Sequence, residues 1–385
     1  MDFDAFLVEM VMKNLSYWER TTWLSQIDYA IVGSGIVGLS CALMLKKKEP
    51  SAKIVVFEKG ILPSGASTKN AGFGCFGSLS ELLDDLTKHS PEEVLQLVKE
   101  RLHGLQLLRE TIGDSALSYQ EYGGYELFTK ADQELFENCL SKLEETNRLL
   151  HPLFGGPVFS ECENKFGFKN IQPSLIFNVF EGQLDTGKMM RELLQKVTSL
   201  GVLVLNTSEV TALDDNEDKV ALTINNSEQI EVNKVCVATN GFAQQLLGQN
   251  VLPARAQVLV TKPIDNLDIH GTFHLDKGYY YFRNIDNRIL LGGGRNLDFK
   301  TEETSEVGLT SLVQNKLEEL LHTTILPDRT FEIDTRWSGI MGVGSQKKPI
   351  VQQLTKNTFC GVRLGGMGVA IGSTIGNQLA SIASH

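Results

Sequence analysis

Asp28-Tyr-Ala-Ile-Val32, Gly33-Ser34-Gly35-Ile36-Val37-Gly38, an apolar helical run, then Lys53-Ile-Val-Val-Phe-Glu58: in that order the pieces read as a strand, a glycine turn, a helix and a second strand ending in a carboxylate. A dinucleotide site needs those parts in that order. Gly33 allows the sharp turn out of the strand. Gly35 has no Cβ, so the backbone can approach a pyrophosphate, and Gly38 lets the helix pack closely on the sheet. The helix N-terminus at Ile36 and Val37 points N–H groups and a partial positive charge at the phosphates. Glu58 stands about twenty residues past the last glycine, where a carboxylate takes both hydroxyls of an adenosine ribose. An acid there, with no arginine beside it, disfavours a 2′-phosphate and leaves FAD or NAD. An ordinary βαβ turn also carries glycines. The strand, the helix and the acid together separate the two readings.

The chain around this stretch has 385 residues, enough for two domains or one large composite. It is 42% hydrophobic and 22% charged, the balance of a globular protein with a substantial core. A net charge of −11 argues against a nucleic-acid surface and against attraction to anionic lipid. The six cysteines form no CxxC pair and no metal spacing, and Cys41 and Cys236 fall in apolar patterns as buried thiols. A reducing cytoplasmic location follows as the default. Residues 1–12 are interrupted by Asp2, Asp4 and Glu9 and do not read as a secretory signal. No run approaches the ~18 apolar residues of a membrane span. Within an N-terminal extension, 1–26, Trp18 and Trp23 are expected to pack on the outside of the first domain.

After Glu58 comes Lys59-Gly-Ile-Leu-Pro-Ser-Gly65-Ala66-Ser67-Thr68-Lys69-Asn70-Ala71-Gly72-Phe73-Gly74. Small residues dominate it, so its backbone can wrap a flat ligand, with Ser67, Thr68 and Asn70 as hydrogen-bonding groups. The glycine turn, Glu58 and Gly65-Ala66-Ser67-x-x-Asn70 together resemble the D-amino-acid oxidase (DAO) superfamily of flavoproteins, which includes glycine oxidase, sarcosine oxidase and γ-glutamylputrescine oxidase. The resemblance implies FAD, held non-covalently, with the small-residue segment along the isoalloxazine ring. It implies an α/β fold: a Rossmann-like, glutathione-reductase-like FAD-binding domain, and a second α+β substrate domain on an antiparallel sheet.

Further on, residues 81–112 and 131–150 read as amphipathic helices, and Gly123–Phe128 as a turn and strand. Glu181–Lys188 resembles the family's Gly-x-Leu-Asp-Pro-Gly, with Thr186 for proline. Val210 falls where the family places a backbone contact to adenine. Short strands are expected at 209–213, 219–224, 229–233 and 234–239. The acidic run Asp214–Asp218 has the wrong spacing for a calcium loop and reads as a hairpin tip. Thr239-Asn240-Gly241 resembles the turn that returns the chain to FAD, and Asn tolerates its left-handed geometry. Arg255-Ala-Gln257 resembles the strand entering the substrate domain. Gly278–Gly294 reads as a hairpin turning at Asn284–Asn287, with Tyr279, Tyr281 and Arg283 on one face and Tyr280 and Phe282 on the other. A cross-strand aromatic cluster is the plain alternative for these rings; the resemblance implies that Tyr279 and Arg283 face the substrate. His270 and His274 read as loop residues without a metal set.

The final block, Arg336-Trp337-Ser-Gly339, then Pro349-Ile350, then Gly365-Gly366-Met367-Gly368-Val369, resembles the family's Trp-x-Gly turn, Pro-Ile strand and closing helix start. Met367 replaces a histidine. The resemblance implies that this helix aims its N-terminus at the N1–C2=O edge of the flavin. Met341 stands where glycine-oxidase-like members grip a carboxylate with arginine, and Ala370 where sarcosine-oxidase-like members have lysine. That leaves Arg283, Arg336 and Arg363 as carboxylate candidates, or as partners of structural acids.

The expected FAD domain is 27–80, 170–245 and 335–385, and the substrate domain 81–169 and 246–334. The expected activity is oxidation of a C–N bond in an amino acid or amine by hydride transfer to flavin N5, with oxygen or another acceptor taking the electrons. A dehydrogenase of an amine or 2-hydroxy acid and a non-catalytic FAD-binding module are the alternatives. Oligomeric state stays open.

Overall fold

A computed structural model describes residues 15–248 and 250–384. The reading of residues 1–12 therefore lies outside the described residues. The chain divides into two units. The first takes the chain up to Thr68, Gly187–Pro253 and Met341 onward; the second takes Lys69–Thr186 and Ala254–Ile340.

The first unit is built on a mainly parallel sheet. Its strands run Ile350–Gln353, Thr358–Val362, Glu228–Val237, Ile27–Val32, Ile54–Phe57 and Leu203–Leu205, with the hairpin Val210–Asp215/Val220–Ile224 added beside Glu228–Val237. All four residues of Ile54–Phe57 are buried, as expected where both faces of a parallel sheet are covered. The helices Ile36–Lys48 and Gly368–Ala383 pack on one another. A Cβ on Gly38 would lie 1.9 Å from the Gly33 carbonyl oxygen, so glycine there is a matter of space.

Glu228–Val237 is one continuous strand where two were expected, 229–233 and 234–239. It alternates buried and exposed while paired to the outer hairpin, then buries Val235, Cys236 and Val237 in succession between Ile27–Val32 and Thr358–Val362. The change from a half-covered to a fully covered environment reads in sequence as a break. Cys41 and Cys236 are both fully buried. Trp18 and Trp23, expected to pack on the domain, are 70% and 57% exposed, just before and at the end of the short helical turn Glu19–Trp23.

The second unit is built on an eight-stranded sheet among the described residues. Its order is Ile333–Val343, Leu252–Thr261, Arg288–Gly293, Tyr280–Ile285, Thr272–Leu275, Gly124–Glu126, Ser174–Asn178, Phe159–Glu163. From Leu252–Thr261 onward the neighbours are antiparallel, save Thr272–Leu275 on Gly124–Glu126. One face is an aromatic core. Phe273 and Phe282 stack at 4.5 Å, Tyr125 stacks on Phe273, and the helix Ser311–Leu320 adds Val313 and Leu317. The opposite face carries a polar row in register across three strands: Tyr281, His274 and Glu126.

The expected helix 81–112 is two helices, Leu79–Leu86 and Pro91–Ile112. Ser90 and Glu93 form a reciprocal cap and Pro91 takes the first helical position, so the chain restarts there. The hairpin turns tightly at Asp286 and Asn287, both left-handed (φ 47° and 56°). The expected Trp337-Ser-Gly339 turn is instead part of the 11-residue strand Ile333–Val343.

The unit boundaries differ from those expected at four edges. Residues 69–80 and 170–186 join the second unit because Phe73–Gly74 pairs with Gly182–Gln183 and Ser174–Asn178 belongs to the second sheet. Residues 246–253 join the first unit, and 335–340 stay with the second.

Candidate active site

In the first unit the glycine turn leaves its strand at Gly33 (φ 102°), whose N–H donates to the Phe57 carbonyl at 2.8 Å. Glu58 sits at the end of the next strand and is almost fully buried. Its carboxylate accepts from the Ser34 N–H (3.1 Å) and hydroxyl (2.6 Å) and from the Gly60 N–H (2.9 Å). Ser34, the unspecified position of the motif, is thus what orients the acid. Ser208 N–H donates to the Glu58 carbonyl at 2.9 Å, and Val210, two residues on, is buried in the core. Lys59 extends over the Phe242 ring at 3.4 Å, beside Thr239-Asn240-Gly241.

The start of the helix meets Ser67. The Ile36 N–H donates to its hydroxyl at 3.0 Å, and a Cβ on Gly35 would come within 2.9 Å of that oxygen. Gly65 accepts from the Thr68 N–H in the turn of Ala66–Lys69, and Thr68 donates to the Pro63 carbonyl. Asn240 is left-handed (φ 47°), and its side-chain Oδ1 accepts from the Arg363 and Leu364 N–H groups, both at 3.1 Å. That ties the Thr239–Gly241 turn to Gly365, Gly366 and Met367, which lead into the helix Gly368–Ala383. No side chain caps that helix among the described residues, and Val369 is buried within its first turn.

These donors fit an adenine dinucleotide. The Thr239 hydroxyl is buried with no partner among the described residues, next to the strand end where Gly33 leaves room. A carboxylate, a helix N-terminus and an unsatisfied buried hydroxyl at neighbouring strand ends form a donor and acceptor set for a ribose and a pyrophosphate.

In the second unit the small-residue segment is bolted to the sheet. Trp337 donates through its indole N–H to the Lys69 carbonyl (2.9 Å). The Asn70 side-chain oxygen accepts from the Gly72 N–H (2.8 Å) and the Thr186 hydroxyl (3.1 Å). Leu184 N–H donates to the Gly72 carbonyl at 2.8 Å. Arg283, 4% exposed, donates to the Ala71 carbonyl and to the Leu184 carbonyl (2.9 Å). Burial lowers its pKa to about 10. The expected substrate role of Arg283 thus meets a guanidinium already taken up by backbone carbonyls. Arg336 likewise is paired, to Gln314 (2.7 Å) and Glu318 (2.8 Å), and Arg363 donates to the Lys348 carbonyl. Gly339 is buried inside its strand.

Tyr279 does not share a face with Tyr281. The strand begins at Tyr280, and Tyr279 packs with the Tyr280 and Phe282 cluster and against Phe299. Its carbonyl accepts from the Gly294 N–H (2.9 Å), which draws the chain out of the alternating pattern. Tyr281 is the ring facing the small-residue segment, with Ala71, Phe73 and Trp337.

His274 is no loop residue. It lies in the strand Thr272–Leu275, 4% exposed, with Nε2 2.9 Å from Glu181 and Nδ1 3.9 Å from Glu81. Burial pushes its pKa down. The Glu181 carboxylate and its hydrogen bond, with Glu81 and Glu126 beyond, outweigh that and raise it to about 9. Burial holds Glu126 above the usual carboxylate range, against the Ser78 and Ser80 hydroxyls that bond it. The sequence offers one hint: a histidine two residues after Thr272 in an apolar strand, which alternation places on the Thr272 face.

Residues 28–382 match the family model described as DAO, FAD dependent oxidoreductase. A probable oxidoreductase OrdL of Haemophilus influenzae is 22% identical over 381 residues, covering 93% of this chain and 83% of that protein. Glycine oxidase from Geobacillus kaustophilus has the same fold, with a TM-score of 0.74 at 20% identity over 93% of this chain and 95% of that one. Iminodiacetate oxidase from Chelativorans sp. BNC1 superposes with a TM-score of 0.72 at 18% identity, over 92% and 95%.

Proposed function

The chain belongs to the DAO family of FAD-dependent oxidoreductases, and on that footing we propose that it oxidises a carbon–nitrogen bond in an amino acid. The solved structures of similar fold include a glycine oxidase and an iminodiacetate oxidase, which supports this substrate class. Bound FAD supplies the two-electron acceptor. The helix N-terminus at Ile36–Gly38 would hold the pyrophosphate, Glu58 the ribose and Thr239 a further polar group. Asn70–Gly72, clamped by Trp337 and Arg283, would form the bed of the ring. A neutral amine gives up the hydride on its α-carbon, the nitrogen lone pair closes the C=N bond, and water hydrolyses the imine. Oxygen or another acceptor then takes the two electrons. The chain's work is orientation and electrostatics, which needs no strong acid or base.

The observation that carries an amino acid over a simple amine is Arg295. It is half-buried in the turn after Arg288–Gly293, its guanidinium 5.7 Å from the Tyr279 ring and 5.1 Å from the Phe299 ring. Its guanidinium makes no hydrogen bond or ion pair among the described residues, in contrast to those of Arg283, Arg336 and Arg363. A guanidinium held over two ring faces is partly desolvated while its N–H fork stays open, which suits a carboxylate. The Tyr279 ring is one of the two that carry this guanidinium.

Arg295→Met is expected to lower kcat/KM for amino acids about 100-fold, the effect of losing a charge-assisted hydrogen bond of ~3 kcal/mol. Amines without a carboxylate should be turned over unchanged. Equal turnover of amino acids by the variant would refute the carboxylate assignment. Ammonia or amine release alongside an oxo product separates C–N from C–O oxidation.

A further inference from the structure

Behind the small-residue segment the second unit buries a charged assembly that the reaction above does not use. Glu181 immediately precedes Gly182–Gln183, the strand that pairs with Phe73–Gly74. Its carboxylate accepts from His274 Nε2 (2.9 Å), the Thr272 hydroxyl (2.7 Å) and the Asn178 amide (3.2 Å). On the other side the Phe73 ring stands edge-on to both His274 (5.3 Å) and Tyr281 (5.6 Å). His274 therefore touches the segment twice, through the Phe73 ring and through Glu181. Glu126 and His274 line a cavity of about the volume of one water.

We propose that His274 and Glu181 are positioning residues whose ion pair locks Gly182–Leu184, and through it Asn70–Gly74, so that FAD affinity follows the protonation state of His274. The inference rests on the placement of FAD along Asn70–Gly72 given above. The groups facing the imidazole support it. Glu81 approaches from the helix Leu79–Leu86, and Glu126 lies opposite on the neighbouring strand. Asp85 and Arg101 are buried on the adjoining helices, with the Arg101 guanidinium donating to the Phe76 carbonyl, and Cys75 is buried beside the segment. Three glutamates surround one imidazolium. Removing its proton leaves Glu181 facing Glu81 and Glu126 with its charge uncompensated, and the pair that holds the strand edge is lost.

The sign is set by the histidine. Its folded pKa is about 9 against an ordinary 6.5, so its contribution is complete below about pH 6.5 and disappears as pH rises through about 9. The test is the FAD dissociation constant of the purified holoenzyme, read from flavin fluorescence across that range. In the unaltered protein the constant should rise on the order of tenfold as pH passes the histidine's pKa. His274→Gln should abolish the step. Glu181→Gln should move it to lower pH, since the acid that sustains the proton is gone. A purely structural pair would lower Tm in both variants and leave the shape of the profile unmoved. A flat profile in the unaltered protein, or the same step in His274→Gln, overturns the proposal without any variant having to match it in stability. A protein that retains no FAD at any pH would instead overturn the placement of FAD itself, and this inference with it.

Discussion

Gly38→Ala should yield a protein that keeps no FAD and melts well below the parent. The added Cβ would sit 1.9 Å from the Gly33 carbonyl oxygen, 3.1 Å from its carbon and 3.2 Å from the Ile31 side chain. The first two are backbone of the turn that carries the phosphate site. Relief by moving the helix away is blocked on its other side. The closing helix meets it through Gly376, where a Cβ would be 2.6 Å from both the Ser40 side chain and the Val37 carbonyl. Overpacking of this kind costs about 3 kcal/mol or more when backbone must shift. Gly156→Ala is the control, since nothing lies within 4 Å of its Cβ; its stability should stay within ~0.5 kcal/mol of the parent. Thermal melts and the ratio of flavin to protein absorbance read both. A yellow Gly38→Ala protein with an unchanged Tm would contradict the packing described here.

Arg283→Met carries the second large effect, and it separates two roles for one residue. The guanidinium donates to the carbonyls of Ala71, Leu184 and Asn284 from a buried position. Methionine fills much of the volume and donates nothing. Each carbonyl left without its charged donor costs about 1–3 kcal/mol. The variant should lose about 3 kcal/mol of stability in total, given non-additivity, and its FAD should dissociate more readily. A residue that merely bound substrate would behave differently: stability and FAD content would hold while KM rose. Arg283→Lys should fall between, because one ammonium cannot reproduce the planar fork.

The nucleotide half of the fold was legible because its logic is local. The glycine turn, the helix and Glu58 lie within one short stretch, and each residue type answers to a backbone requirement. What sequence did not convey was non-local. Arg283 reads as a substrate contact until the chain folds and brings Ala71 and Leu184 to its guanidinium. Arg336 finds Glu318, and Tyr279 leaves the strand alternation because its carbonyl is tied to Gly294. His274 looked idle beside His270, since the carboxylates that charge it come from positions 81, 126 and 181. Arg295 drew no notice, because what marks it is the partner it lacks.

The most direct test of the account is an anaerobic absorbance titration of the purified protein with amino acids, N-methyl amino acids, polyamines and 2-hydroxy acids. The flavin band near ~450 nm should be present on isolation and should bleach with an amino acid or N-methyl amino acid, because hydride transfer removes it. Admitting air would then show whether oxygen is the acceptor. Bleaching by hydroxy acids with none by any amine would contradict the C–N assignment, and a colourless protein that cannot take up FAD would contradict the reading from Gly33 onward.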